Sequence, residues 1–320
     1  MDEIKIIDII SKNLKYKGKS IKTIGDDCGV YKLNNNHLLI TTDSMFKSTH
    51  LPDIITPFQM GIRIATANLS DISAMCGKPL FMVISLGLDS KAGLDSKFID
   101  EFSKGLNYMA EKYDCPILGG DTNKSKELTL SGTCVGITDN PIYRGGCVGD
   151  DIFITNNIGR PYCALKLIEM RNKGIISKDE FNKLVVEYEE IIKKLCEPMP
   201  MVYEGLVLNK HVNSACDISD GIGKDILTVG NFEIYSKKLM KLLPKDVIDF
   251  CDRFNLDYLD VALNSGEEFE LLISSKKDIK EIVEENTKST CVKVGKVIDT
   301  GKYIDGIEYN LKNKGYIHKW

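Results

Sequence analysis

The stretch His37-Leu38-Leu39-Ile40-Thr41-Thr42-Asp43 decides the fold, because it predicts a buried β-strand that ends on a carboxylate. Four other short segments are built around aspartate, mostly where an apolar run ends or a turn begins. They are Gly25-Asp26-Asp27, Asn68-Leu69-Ser70-Asp71, Gly119-Gly120-Asp121 and Asp217-Ile218-Ser219-Asp220. The five segments together hold seven carboxylates beside Gly, Ser or Thr.

Each segment taken singly has an ordinary structural explanation. A solvated turn would account for Gly25-Asp26-Asp27, and strand-end polarity would account for Asp43. A solvated helix face would account for Asp71, and a hairpin would account for Gly119-Gly120-Asp121. In the fifth segment Ser219 could cap a helix that begins there, and a helix N-terminus also attracts phosphate. The segment Gly119-Gly120-Asp121 has the shape of a phosphate or metal loop, since its glycines permit close backbone approach.

Taken together, the five segments favour a shared cation. Carboxylates gathered in one place repel each other, and each is costly to remove from water unless something positive is shared between them. Hard divalent cations with oxygen ligands meet that need, and Mg²⁺ usually brings substrate phosphates with it. We therefore expect a Mg²⁺–nucleotide site assembled from distant parts of the chain.

Length and composition exclude several classes of protein. A chain of 320 residues favours two domains, and 43% hydrophobic with 28% charged residues is ordinary for a soluble globular enzyme. The net charge of −4 argues against a nucleic-acid partner. Neither a membrane span nor a signal peptide is visible, so we expect no membrane partner. The ten cysteines form no Cys-x-x-Cys motif, which predicts free thiols and a cytoplasmic location.

Strands alternate with helices in both halves, which predicts an α/β or α+β fold. The expected helices cover 3–14, 57–75, 161–172, 178–195, 277–287 and a segment from about Ser219, and one more follows the strand 80–88 with Phe98, Phe102, Leu106 and Met109 as its core face. The expected strands cover 37–42, 80–88, 116–118, 128–137, 151–155, 213–216, 268–273 and 291–298. The Gly- and Pro-containing stretch 139–150 is the expected linker between domains at 1–138 and 151–320.

Standard nucleotide-binding motifs are absent from the sequence. Gly18-Lys19-Ser20 resembles the end of a P-loop, but the upstream glycine that the motif requires is Asn13. No Gly-x-Gly-x-x-Gly occurs, so a Rossmann dinucleotide site is not expected.

Six blocks, in order and at the right spacing, make the chain resemble the thiamine-monophosphate kinase family of the aminoimidazole ribonucleotide synthetase-like superfamily. The blocks are GDDCGV at 25–30, TTDSMFKSTH at 41–50, NLSDISAMCGKP at 68–79, GGDTNKS at 119–125, DISDGI at 217–222 and SGEEFELL at 265–272. The resemblance implies an N-terminal mixed sheet that binds ATP and Mg²⁺ and dimerises, a C-terminal α/β domain, and a homodimer. It also implies phosphorylation of thiamine monophosphate by ATP.

The resemblance also implies roles for individual residues. The implied ligands of several Mg²⁺ ions are Asp27, Thr41, Thr42, Asp43, Asp71, Asp121, Asp217 and Asp220. The implied ATP contacts are Gly120, Asp121, Arg144 and Ser219, and the implied thiamine phosphate contacts are His50, Glu267 and Tyr316. Asp43, Asp71, Asp121 and Arg144 would serve catalysis, whereas Asp26 would support its loop. Arg144 is one of only five arginines, which makes it a natural phosphate ligand.

The chain departs from the family at a few positions, and other functions compete. Ser265-Gly266-Glu267-Glu268-Phe269 stands where the family has Gly-Gly-Glu-Asp-Tyr, which keeps the substrate glutamate but changes its neighbours. Three sister enzymes are disfavoured because this sequence lacks their motifs. Selenophosphate synthetase carries a reactive Cys before its counterpart of Gly25-Asp26-Asp27, aminoimidazole ribonucleotide synthetase has Gly-Val-Gly-Thr-Lys after its counterpart of Asp43, and the hydrogenase-maturation dehydratase ends in a functional Cys. A non-catalytic nucleotide- or thiamine-binding protein is the alternative from a different class.

Overall fold

Two β-sheets organise the chain, one in each half. The protein is represented by a computed structural model that describes residues 3–14, 16–18, 20–89, 95–310 and 315. The described part of the first half forms a six-stranded sheet in the order β1-β2-β3-β6-β4-β5. Its strands are β1 Ser20–Lys22, β2 Gly29–Leu33, β3 Asn36–Phe46, β4 Lys78–Asp89, β5 Ile117–Ser125 and β6 Thr129–Thr138. Neighbouring strands are antiparallel except for β4 and β5.

The described part of the second half forms a seven-stranded sheet in the order β13-β12-β9-β11-β7-β10-β8. Its strands are β7 Asp151–Thr155, β8 Ser214–Asp217, β9 Phe232–Ile234, β10 Leu271–Ser275, β11 Cys291–Val297, β12 Lys302–Ile304 and β13 Ile307–Glu308. Only the β9–β12 pair is parallel among these described strands. The sequence prediction of a mixed α/β fold is confirmed.

Helices cover both sheets. The first half contains α1 Glu3–Asn13, α2 Lys47–His50, α3 Pro57–Ala74 and α4 Ser96–Tyr113. The second half contains α5 Arg160–Asn172, α6 Lys178–Glu187, α7 Glu189–Cys196, α8 Val202–Leu208, α9 Ile222–Asp225, α10 Ser236–Met240, α11 Lys245–Phe254, α12 Tyr258–Asn264 and α13 Lys280–Asn286. A 3₁₀ turn, Ile226–Val229, follows α9. No helix in these described ranges is long and apolar enough to cross a membrane.

Helix α3 is the central element because it contacts both halves. It begins at a capping box in which Thr56 and Gln59 bond each other's backbone N–H groups. Gly105 lets α4 approach it closely, since a Cβ there would lie 1.9 Å from the Phe58 carbonyl oxygen. At the other end, a Cβ on Gly205 of α8 would lie 2.4 Å from the Ser73 carbonyl oxygen. Side chains on α3 are therefore placed against residues of the second half.

The two halves share packing. Cys196, Val202 and Phe269 of the second half are buried in the hydrophobic core of the first. The domain limits 1–138 and 151–320 stay a prediction. All ten cysteines are free thiols, as predicted; Cys147 is exposed and the others are buried.

Several predicted element bounds are wrong, and for β3 and β5 the reason is that strand pairing overrides local sequence. The strand predicted to end before Asp43 continues to Phe46, since Asp43 to Phe46 pair with β6. Gly119, Gly120 and Asp121 are not a loop; they lie inside β5, where they pair with β4. The predicted helix 178–195 is two helices divided at Tyr188, and the strand predicted from Glu268 begins at Leu271.

Candidate active site

Three aspartates from distant parts of the sequence meet between the two sheets. Each of Asp27, Asp71 and Asp217 offers a carboxylate oxygen, and the three oxygens lie within 4.8 Å of one another. Asp27 precedes β2, Asp71 is on α3 and Asp217 is the last residue of β8. The predicted gathering of these three residues is therefore present in the structure.

Two more aspartates extend this acidic cluster along a cleft. Asp43 and Asp220 line the same cleft as Asp71 and Asp217, and its volume is about 740 Å³. The pKa of Asp43 is raised, first by burial and then by repulsion from the Asp220 carboxylate. One wall of the cleft comes from β3 and α3, and the other from the loops that follow β8 and precede β10.

The pKa values of the clustered aspartates are raised. Burial raises the pKa of Asp27 to about 6 even though Arg144 opposes the shift. Burial and the neighbouring Asp27 raise the pKa of Asp217 to about 7. The pKa of Asp71 is raised well above its ordinary value by burial and then by Asp217 and Asp43. Protons therefore compete with a cation for these carboxyls at and below neutral pH, most strongly at Asp71 and Asp217.

Hydrogen bonds hold the three carboxylates in place. The Thr41 hydroxyl donates to Asp71 Oδ2, and the Ser70 hydroxyl donates to Asp217 Oδ2 at 2.8 Å. Asp27 Oδ2 is buried without a hydrogen-bond partner. An unpartnered buried oxygen beside two other carboxylates is a donor set that fits a hard divalent cation such as Mg²⁺.

Arg144 contacts the acidic cluster although its side chain is partly exposed. Its guanidinium donates to Asp27 Oδ1 at 2.5 Å, and its backbone N–H donates to the Asp26 carboxylate at 3.2 Å. Lys22 Nζ lies 3.3 Å from the same Asp26 carboxylate. Asp26 thus ties its loop to the 139–150 segment, which agrees with the supporting role predicted for it.

Two predicted metal ligands are not brought to the cluster. Thr42 points to the opposite face of β3 from Thr41 and Asp43, and its hydroxyl donates to the Gly132 carbonyl oxygen at 2.8 Å. Asp121 lies on β5, the edge strand, in register with Ser85 and exposed on that same outer face. Three strand spacings of about 4.8 Å separate β5 from β3, so Asp121 and Asp43 of one chain are too far apart to share an ion. Gly120 is beside Asp121, and Tyr316 lies outside the described residues.

Ser219 lines the cleft, but it does not cap a helix. Helix α9 is only four residues long and begins at Ile222, with Gly221 as its N-cap and no capping side chain. The backbone N–H groups of Ser219, Asp220 and Gly221 donate instead to Asp225 Oδ2. The sequence-based expectation of a phosphate-binding helix terminus here is therefore wrong.

Glu267 lines the cleft opposite Asp71 and is paired with a residue that sequence reasoning missed. Both Glu267 oxygens lie 2.9 Å from Nη2 of Arg63, whose side chain on α3 is fully buried. Arg63 Nη1 donates to the Leu195 carbonyl oxygen, so the side chain bridges both halves. An arginine inside an apolar helical stripe was the available signal.

Of the residues that depart from the family, Phe269 lines the cleft, and Ser265 and Glu268 are buried beside it. The Ser265 hydroxyl and the Gly159 N–H both donate to Glu268 Oε1, and burial raises the pKa of Glu268 to about 7. Glu267 and Phe269 have φ values of 57° and 53°, which are strained for residues with side chains. The Ser265–Glu268 pair therefore supports a strained turn that presents Glu267 to the cleft.

His50 also lines the cleft. Its Nδ1 accepts a hydrogen bond from the Phe46 N–H at 3.2 Å, and the Thr49 hydroxyl lies 2.6 Å from the same nitrogen. An Nδ1 that accepts places the proton of the neutral ring on Nε2. Nε2–H is the kind of donor that recognises a phosphate oxygen.

Known proteins share this sequence and fold. The family described as "AIR synthase related protein, N-terminal domain" matches residues 25–138. A thiamine-monophosphate kinase of Methanocaldococcus jannaschii is 52% identical over 100% of both chains, and one of Buchnera aphidicola is 35% identical over 91% of this chain and 90% of its own. A solved structure described as "AaThiL complexed with AMPPCP and TMP" is 26% identical, with a TM-score of 0.84 over 99% of this chain and 97% of the other.

Proposed function

The chain belongs to the thiamine-monophosphate kinase family and is a kinase, and we propose that it transfers the γ-phosphoryl group of ATP to thiamine monophosphate. The observation that carries this proposal is the acidic cluster of Asp27, Asp71 and Asp217, which both halves build at one cleft. A related solved structure is described with an ATP analogue and TMP bound.

The proposed chemistry needs positioning more than acid–base catalysis. A phosphomonoester is largely dianionic at pH 7, since its second pKa is about 6. An oxygen of the acceptor phosphate forms a bond to the γ-phosphorus while the bond to the β–γ bridging oxygen breaks, which releases ADP and thiamine diphosphate. Because the acceptor is already deprotonated, no general base is required.

Several Mg²⁺ ions would be held by Asp27, Asp71 and Asp217 together with Asp43 and Asp220. When bound, such ions supply positive charge that screens the repulsion between two anionic substrates. The protein's contribution is to fix the carboxylates through Thr41 and Ser70 and to bury them. Arg144 now neutralises Asp27; with a cation in the cluster its guanidinium could turn to a phosphate of ATP.

His50 and Glu267 are the proposed contacts to thiamine monophosphate, and Ser219 to ATP. His50 Nε2–H suits a phosphate oxygen, and the Glu267 carboxylate suits a cationic ring. The Arg63 guanidinium keeps Glu267 in one orientation at the cleft wall. Tyr316 stays a proposal from the resemblance alone.

We also propose a cytoplasmic homodimer formed through the outer face of the first sheet. Tyr31, Ile40, Phe46 and Val83 are exposed on that face although they are large and apolar. Asp121 lies on the same face, so a partner copy could bring its Gly120 and Asp121 to an ATP site that one chain does not complete. Sedimentation velocity would test the dimer.

The direct test is formation of thiamine diphosphate from thiamine monophosphate and ATP, with Mg²⁺ and with EDTA. We expect product only with Mg²⁺. Transfer from ATP that is chiral at the γ-phosphorus should invert its configuration, whereas retention would indicate a phosphorylated enzyme intermediate. Binding of Mg²⁺–ATP without any product would leave only the binding-protein alternative.

A further inference from the structure

We propose that Asp225 is a positioning residue that holds the loop 217–221 so that Asp217 and Asp220 face the cleft. The inference rests on the proposed function, in which those two aspartates bind metal ions. Asp225 is buried and is the last residue of α9, and no predicted motif gives it a role.

The hydrogen bonds of one oxygen carry the argument. Asp225 Oδ2 accepts from the backbone N–H groups of Ser219, Asp220 and Gly221, each at 3.1 Å. Three successive N–H groups that point at one spot form an anion-binding concavity of the kind that holds phosphates. In this protein the carboxylate of the same chain fills the concavity.

The other side of the loop is fixed as well. Glu267 N–H donates to the Ser219 carbonyl oxygen at 2.7 Å, and Phe269 N–H donates to the Ile218 carbonyl oxygen at 3.0 Å. Gly266 allows this approach, since a Cβ there would lie 2.7 Å from the Ser219 carbonyl oxygen. With these N–H and carbonyl groups engaged, the loop meets the cleft through its side chains.

This arrangement changes what the loop can bind. Its N–H groups are occupied by Asp225 and cannot cradle a phosphate of ATP. Asp217 and Asp220 line the cleft, and Asp220 Oδ2 also accepts from Lys224 Nζ at 2.6 Å. The loop would therefore recognise cations through these carboxylates and reach phosphates through the cations. Asp225 therefore orients the loop that carries two proposed metal ligands without contacting the metal itself. Replacing a residue of this kind typically lowers metal affinity by about 10–100-fold.

Mn²⁺ binding in the presence of the ATP analogue AMPPCP, read by electron paramagnetic resonance, tests the role. Asp225→Ala should weaken Mn²⁺ binding by about tenfold or more, whereas Asp225→Asn, which keeps an acceptor oxygen, should lose much less. The matched control is Asp95→Ala, which removes a carboxylate that accepts the Phe98 N–H at 2.9 Å far from the cleft. It should lower stability without changing Mn²⁺ affinity.

The outcomes separate this inference from the proposed function. If Asp217→Asn leaves Mn²⁺ binding unchanged, the proposed metal site itself is wrong. If Asp217→Asn weakens binding but Asp225→Ala does not, only the positioning role is overturned. Should Asp225→Ala not fold, amide hydrogen exchange in the wild-type protein decides: slow exchange at residues 219–221 supports the hydrogen bonds to Asp225, and exchange as fast as in an exposed loop refutes the role.

Discussion

Replacing Asp217 by asparagine should stabilise the metal-free protein, although it removes a proposed ligand. Asp217 is 3% exposed and lies among other carboxylates. Burial and Asp27 raise its pKa from 3.8 to about 7, so folding costs free energy whenever the carboxyl must ionise inside the cluster. Asparagine has the same shape and can still accept from the Ser70 hydroxyl, but it carries no charge.

The magnitude follows from linkage between protonation and folding. A rise of about three pKa units corresponds to a penalty on the order of 4 kcal/mol when the carboxyl is fully ionised. The folded pKa lies above the unfolded one, so the penalty is complete above pH 7 and disappears as the pH falls toward 4. Asp217→Asn should therefore gain most at pH 8 and much less at pH 5.

Urea unfolding in EDTA at pH 8 and at pH 5 is the assay, with Asp249→Asn as the matched control on an exposed helix face of the second half. Mg²⁺ with AMPPCP should then stabilise the wild type but not Asp217→Asn, since only the wild type retains the ligand. An unchanged or lower stability of Asp217→Asn at pH 8 would refute the argument from mutual repulsion.

Three further predictions concern the same site. At limiting Mg²⁺, activity should rise between pH 5.5 and 8, because the raised pKa values of Asp27 and Asp217 make protons compete with the cation. Saturating Mg²⁺ should move this rise to lower pH. A pH profile that does not depend on the Mg²⁺ concentration would contradict the prediction. Glu267→Gln should destabilise the fold by about 3 kcal/mol by leaving buried Arg63 unpaired, and the added change Arg63→Met should recover most of that loss in urea unfolding. Thr42→Val should keep kcat within about twofold of the wild-type value, since the Thr42 hydroxyl faces away from the cluster. A large loss of kcat would show that the Thr42 side chain is a metal ligand after all.

The sequence predicted the site better than the limits of its elements. Asp27, Asp71 and Asp217 were predicted to meet because five aspartate segments together favour a shared cation, although each segment alone has an ordinary structural explanation. The β3 and β5 strands extend beyond their predicted limits because pairing with β6 and β4 stabilises polar residues in extended conformation, and pairing is not encoded locally.

What the sequence determined by itself is chemical identity: an acidic, Arg-poor chain with five aspartate segments in the order of a kinase family. What only the tertiary structure decided is which groups share space. Side-chain alternation put Thr41 at the cluster and Thr42 on the other face, and strand order put Asp121 at a distant edge. The partner of Arg63 could not be predicted, because Glu267 lies 204 positions away in the sequence. The partners of Asp225 could not be predicted either, because they are backbone N–H groups, which every residue type except proline carries. Contacts of this kind depend on how the chain folds back on itself, which residue types and spacing do not specify.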